Sequence, residues 1–332
     1  MAVEMIAIGA NPAYQKLTEF EELNIGHVNR ASSMTILAAG KGQNFARAVC
    51  SVKYRACAVA HFLGGATGKW IHENLTTNNI PQIVSWTTSQ TRTCTTVKDL
   101  EGGTVTELID PSGPVSEQEV KYLLDEIEKH IDSVKIVAIC GTHPPGAETL
   151  YLDIANIVAK KKEKGGECML YLDGFQKVTS LLESGAVSIY KVALYELLSL
   201  IGLDRSDYDQ AAQLMKAREI MFERYPNLKW IAVTDGPNTA YLFHNISLTG
   251  SCEKSIWKYN VKQLQKEEVV NPIGAGDTVG GVMMAKFLEN GDMPMAFRWG
   301  LSAATAKCKL PSAGGIFNGD DLEECLMQTE VH

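Results

Sequence analysis

The sequence predicts an α/β fold, a mostly parallel sheet covered by helices on both faces, with a small β-sheet lid beside it. Three observations carry this. Short apolar runs alternate with helix-period segments through most of the 332 residues. Two stretches, 13–36 and 85–109, interrupt that alternation with threonine-rich strand-and-turn patterns that lack intervening helices. Two glycine clusters stand where strands give way to helices. The length suits one large domain, 1–332, rather than two equal ones.

Along the chain, the apolar run Met5-Ile6-Ala7-Ile8 stops at Gly9 and Asn11-Pro12, which sets a first strand at 4–9. Further strands are expected at 56–63, 134–140, 168–173 and 229–235. Ser116, with Glu119 three residues on, forms a capping-box pattern that starts a helix over 117–130. Val120, Leu123, Leu124, Ile127 and Ile131 repeat at helical spacing, so one face is buried. A helix over 147–164 ends in lysines and Gly165-Gly166, the residues a helix C-terminus favours. The stretches 13–36 and 85–109 are expected to pair as a small antiparallel sheet, a lid over a site at the strand ends.

A chain that is 45% hydrophobic and 21% charged is globular rather than disordered. Its 31 basic and 39 acidic residues leave a net charge of −8, which disfavours nucleic acid and anionic membranes as partners. A phosphate-bearing ligand therefore needs locally concentrated positive charge. No apolar stretch approaches the ~20 residues that cross a bilayer, and no signal sequence opens the chain. The eight cysteines form no C-x-x-C pair, and no histidine pair has zinc-ligand spacing. Reduced thiols and a cytoplasmic location are the expectation. The sequons at 74–76 and 245–247 read as chance matches.

The first glycine cluster is Ala38-Ala39-Gly40-Lys41-Gly42-Gln43-Asn44. It lets backbone approach a ligand, and Lys41 and Asn44 can address a polar one. It lacks the G-x-x-x-x-G-K-[ST] spacing of a Walker A loop, as does Gly64 to Trp70. The second is Asn271-Pro272-Ile273-Gly274-Ala275-Gly276-Asp277, leading into a helix over 277–290. There the N–H groups of Ala275, Gly276 and Asp277 would converge, backed by the helix dipole, on a transferring phosphoryl group. Asp277 could take a proton from an attacking hydroxyl, with the dipole expected to lower its pKa. A dinucleotide-binding loop ending at Gly280 is the rival reading. It is disfavoured because no second βαβ unit follows.

Together the clusters resemble the signatures of the ribokinase/PfkB carbohydrate kinases. The first resembles A-G-G-K-G-x-N-x-A, with Ala39 for one glycine, and the second the G-A-G-D anion hole. Asn271-Pro272 looks like the branch containing 1-phosphofructokinase and tagatose-6-phosphate kinase. Colinear weaker matches include Asn11-Pro12-Ala13, Asn29-Arg30, Phe62 to Gly68, Thr91-Arg92, Gly141 to Gly146 and Thr234-Asp235-Gly236. The resemblance implies a ribokinase-like three-layer sandwich with a β lid, which commonly serves dimerisation. It implies ATP- and Mg²⁺-dependent phosphorylation of a sugar or sugar phosphate. Carried over by position, Asp277 would be the base and Gly274, Ala275 and Gly276 the anion hole. Gln15, Gly40, Lys41 and Asn44 would face the sugar, and Arg92 with Arg30 its phosphate. Lys191, Thr234 and Gly236 would line the nucleotide side, and Glu196 would serve the metal.

Two positions depart from the pattern. Gln15 stands where the family opening has Asp, exchanging a double acceptor for an amide. Ala193 replaces the Asn of the N-x-x-E pair, while Glu196 is retained. Loss of an outer-shell metal group costs ~10–100-fold, against rate enhancements worth ~8 kcal/mol and more, so an active kinase is expected. A ligand-sensing or regulatory protein on the same scaffold, and a kinase for another hydroxyl such as a nucleoside's, remain open.

Overall fold

The computed structural model describes residues 3–52, 57–203, 210–248, 254–310 and 319–332. Cys252 lies outside them, and the other seven cysteines are free thiols. With strands numbered along the chain, the main sheet holds β1 (Met5–Ile8), β4 (Cys57–Leu63), β5 (Gln82–Trp86), β8 (Ile136–Cys140) and β9 (Met169–Asp173). It continues with β10 (Val187–Ala193), β11 (Trp230–Thr234), β12 (Ala240–His244), β13 (Ile256–Asn260) and β14 (Glu330–Val331). The spatial order is β14-β13-β12-β11-β10-β9-β8-β1-β4-β5. Strands β5 to β11 in that order are parallel, and β12, β13 and β14 add antiparallel.

Alternation along β1 generates the layers. Ile6 and Ile8 point into a cluster with α3 (Glu117–His130), α4 (Leu150–Glu163), α5 (Thr179–Glu183), α6 (Leu194–Leu200) and α7 (Gln210–Arg224). Met5 and Ala7 point the other way, against α1 (Lys41–Ser51), α2 (Gly65–Thr77), α8 (Ala275–Asn290) and α9 (Met293–Cys308). A last helix, α10 (Gly319–Met327), packs on α9. A parallel strand buried on both sides is apolar at nearly every position, as β1 and β8 are throughout and β4 is apart from His61. The capping box of α3 is formed. Ser116 Oγ accepts from the Glu119 N–H at 3.3 Å, and Glu119 Oε2 accepts from the Ser116 N–H at 2.7 Å.

The second sheet, ordered β3-β2-β6-β7, consists of β2 (Ala13–Phe20), β3 (Ser33–Ala39), β6 (Thr93–Asp99) and β7 (Thr104–Ile109). It corrects the sequence reading in two respects. It is mixed rather than antiparallel, because β2 and β6 run parallel from Tyr14↔Thr93 to Phe20↔Asp99. Both strands leave the same end of the main sheet, β2 after β1 and β6 after β5, so they point the same way. Residues 85–86 also belong to β5 in the main sheet. Strands β10, β12, β13 and β14 were not among the strand expectations; β10 carries Ser188 and Lys191 inside an otherwise apolar run. Helix α4 starts at Leu150 rather than 147, and α8 at Ala275 rather than 277.

The chain leaves β1 for β4 and β5 on one side and later builds β8 to β11 on the other. The carboxyl ends of the strands flanking this reversal form the crevice where open α/β sheets bind ligands. Residues 11–12, 64, 141, 173, 193 and 234 follow or end strands of the main sheet, and 40–41 follow β3 of the second sheet. Asn245, in the second sequon, is buried and donates to the Pro226 and Leu228 carbonyls, so it is unavailable for glycosylation. No helix among the described residues is long and apolar enough to cross a membrane.

Candidate active site

At the head of α8, Gly274 is the N-cap in the left-handed region, φ 81°, a conformation glycine adopts without strain. No side chain caps this end; the Ala275 N–H donates to the Pro272 carbonyl at 3.1 Å, and those of Gly276 and Asp277 are left for a ligand. Asp277 lies in that first turn, buried, and its Oδ2 accepts from Asn44 Nδ2 at 2.8 Å. Asn44 belongs to α1, which begins at the other glycine cluster with Gly40 as N-cap, φ 132°. The two clusters, more than 230 residues apart in sequence, therefore meet through one hydrogen bond.

A charge network extends from this point. Asp173, at the end of β9, accepts from Lys41 Nζ on one oxygen and from Lys191 Nζ on the other, both at 3.0 Å. Lys191 Nζ also borders Gly276, 3.0 Å from where a Cβ there would sit. Burial works against the Asp173 anion, but Lys191 and Lys41 outweigh it and hold its pKa low. Burial likewise opposes the Lys41 charge, and Asp173, Asp277 and Glu196 prevail, raising its pKa. Asp277 moves the other way. Burial, reinforced by the Asp173 charge, pushes its carboxyl above the ordinary aspartate range against Lys41, Asn44 and Lys191. This corrects the expectation that the helix dipole would lower it: desolvation of a buried carboxylate is the larger effect.

Next to Asp277 in the chain, Ala275 and Gly276 line a cavity of about 520 Å³ with Thr234, Gly236, Pro272 and Leu301. A separate cleft lies among Asn11, Pro12, Thr91, Arg92, Ser112 and Pro144. Asn11 spans it, donating to Thr142 Oγ1 at 3.2 Å and accepting from Ser112 Oγ at 2.9 Å. The Arg92 guanidinium rests on the carbonyls of Asn11 and Pro12, at 3.0 and 3.4 Å. Gln15 is buried in β2 and donates Nε2 to Thr96 Oγ1 at 2.8 Å. Arg30 is exposed in the segment between β2 and β3, and no described contact ties it to the other site residues. Glu196 is the third residue of α6; its Oε2 accepts from the Ala193 N–H at 3.0 Å, and its Oε1 from the Tyr195 hydroxyl at 3.4 Å. His143 packs edge-on against Tyr151.

Sequence reasoning missed Asp173, the hub of the lysine pair. Its signal was present, an Asp-Gly step closing the apolar run 168–173.

The pfkB family carbohydrate kinase profile matches residues 7–317. The chain belongs to the pfkB family of carbohydrate kinases. Within the family, it is 25% identical over 331 residues to a tagatose-6-phosphate kinase of Staphylococcus epidermidis, covering 98% of this chain and 99% of that one. Its fold is similar to that of phosphofructokinase-2 from Escherichia coli, solved with substrates and products, at a TM-score of 0.83 and 20% identity over 98% of this chain and 99% of that one. It is similar also to a ribokinase from Giardia lamblia, TM-score 0.78 and 16% identity over 98% and 99% of the two chains. The ribokinase-like three-layer fold expected from the motifs is the one this pfkB kinase has.

Proposed function

We propose that this pfkB kinase transfers the γ-phosphoryl group of ATP to a hydroxyl of a fructose-phosphate- or tagatose-phosphate-type sugar. The observation that supports this best is the placement of Asp277. A buried carboxylate of raised pKa stands in the first turn of a helix without a side-chain cap, and the preceding residues Ala275 and Gly276 line a 520 Å³ cavity. A base whose pKa is lifted toward neutrality is better matched to accepting a hydroxyl proton. In this reading Asp277 takes the acceptor's proton and Asn44 orients its carboxylate. The N–H groups of Gly276 and Asp277, after the turn at Gly274, meet the charge on the transferring group, while that of Ala275 is held by the Pro272 carbonyl. Lys191, beside Gly276, adds a cation there, and Asp173 directs both Lys191 and Lys41.

The nucleotide would occupy the cavity lined by Thr234 and Gly236. The sugar would lie across Gly40, Lys41, Asn44 and Gln15, under the lid of 13–36 and 85–109. With Gln15 Nε2 committed to Thr96, its Oε1 is the group left to accept a sugar hydroxyl. Arg92 would meet the sugar's phosphate, with Arg30 reaching it only if the segment before β3 moves inward. Val105, Leu108 and Ile109 of β7 are more than half exposed, the surface a second copy would cover in a homodimer.

Among the described residues no cluster of three or more His, Cys, Asp or Glu could cage a metal ion. This fits Mg²⁺ held largely by phosphate oxygens and water, with Glu196 as the protein carboxylate addressing it. When bound, the ion would neutralise phosphate charge. Ala193 brings no ligand to it.

An ADP-release assay with ATP, Mg²⁺ and a panel of free and phosphorylated sugars tests the proposal. Turnover confined to ketose phosphates is expected. Binding of those sugars without ADP release would replace it with the ligand-sensing reading, and turnover only on a nucleoside would move the substrate class.

A further inference from the structure

Lys307 is almost fully buried near the end of α9, yet among the described residues no carboxylate forms an ion pair with it. Its ammonium donates instead to two backbone carbonyls, Asn271 at 2.6 Å and Ile273. Those carbonyls belong to the turn that delivers the chain into Gly274 and α8. The same end of α9 grips that turn a second time, for the Cys308 carbonyl accepts from the N–H groups of Val270 and Asn271 at 2.9 and 3.1 Å. Within the turn, Asn271 Oδ1 accepts from the Ile273 N–H at 2.9 Å. Two carbonyl dipoles converging in a buried place repel one another unless a cation lies between them. A buried lysine is costly, and an apolar side chain of the same length would fill the space more cheaply.

We propose that Lys307 is a positioning residue, a tethered cation that gathers the Asn271 and Ile273 carbonyls and so fixes the direction of the N–H groups at the head of α8. Its consequence for turnover rests on the kinase reading above; its consequence for the turn does not. Burial lowers the Lys307 pKa to about 8, against the pull of Cys308 and Asp277, the titratable groups that face it. The tether therefore weakens as pH rises through that value, when the ammonium gives up its proton.

Hydrogen exchange of the peptide 270–278 reads the tether directly, without turnover. In the unaltered protein, protection of that peptide, corrected for intrinsic exchange, should fall between pH 7 and 9.5; constant protection would overturn the proposal. In Lys307→Met the peptide should exchange faster at pH 7 while the rest of α8 is unchanged. On the substrate found by the panel assay, kcat should fall ~10–100-fold, as for lost outer-shell support, with the acceptor KM nearly constant. For Lys307→Ala, ammonium chloride should restore both protection and rate, whereas tetramethylammonium, which has no N–H, should not. Lys161 is the control, a buried lysine that donates to the carbonyls of Ile131, Asp132 and Val134 far from the site. Lys161→Met should lower Tm and leave kcat alone. Accelerated exchange with unchanged kcat, or equal rescue by the two salts, would refute a positioning role. If no sugar turns over, the kinase reading fails while the exchange data still decide the tether.

Discussion

Helices α1 and α8 both begin at a glycine of positive φ, and neither has a side-chain cap. Their first turns nevertheless do opposite things. A Cβ on Gly42 in α1 would stand 2.4 Å from Gly9 Cα, against the backbone at the end of β1. A Cβ on Gly276 in α8 would meet only the end of Lys191, at 3.0 Å. One helix start is closed onto the sheet, and the other is left open toward a cavity. A glycine-rich joint in a sequence thus marks close backbone approach, and the structure shows whether the approaching partner is protein or ligand.

The largest effect is expected at the open end. Asp277→Asn should lower kcat by ~10²–10⁴-fold, the usual worth of a general base, with Tm near the unaltered value. ADP release and thermal unfolding measured on the same preparation check it; turnover unchanged would remove Asp277 as the base. At the closed end, Gly42→Ala should cost stability by at least ~1–3 kcal/mol in urea unfolding, because backbone on both sides must shift. Gly276→Ala should reverse that outcome. The helix gains up to ~1 kcal/mol of propensity, so stability holds or rises. The methyl obstructs the anion, and a tenfold slower kcat corresponds to ~1.4 kcal/mol. Equal stability losses for the two substitutions would erase the contrast between the helix starts.

The smallest change is in pH dependence. Asp277 works as a base only when ionised, so kcat should fall as pH drops through its raised pKa, above the ordinary ~3.9 of aspartate. Asn44→Ala removes a hydrogen bond that favours the carboxylate and should move this acid limb to higher pH in a kcat–pH profile. A shift to lower pH would mean that Asn44 does not stabilise the charged form.

Much of the fold was legible because burial on two faces leaves a plain mark, as in Met5-Ile6-Ala7-Ile8 and the helical spacing after Ser116. Strand β10 was harder to see, since Lys191 and Ser188 break its apolar run. Those same polar residues are buried. Lys191 is there because Asp173 pairs with it across adjacent strands, a relation that local periodicity does not carry. The head of α8 was readable from Gly274 to Asp277, but the direction of the Asp277 pKa was not. It depends on how much protein surrounds the carboxyl and on Asp173, which is 104 positions away in the chain. Lys307 left no motif at all, because its partners are backbone carbonyls.

The parallel pairing of β2 with β6 has a consequence for the order of assembly. Tyr14 and Thr93 sit side by side, and the chain between them builds α1, β4, α2 and β5. The lid therefore cannot form as a local hairpin; its central pairing closes a long loop and waits for that part of the main sheet. During refolding, β4 and β5 should gain protection before the β2–β6 pairing does. In the native state, sub-global opening should release the lid strands first. A molecule opened in this way would keep its main sheet and the head of α8 while lacking the small sheet.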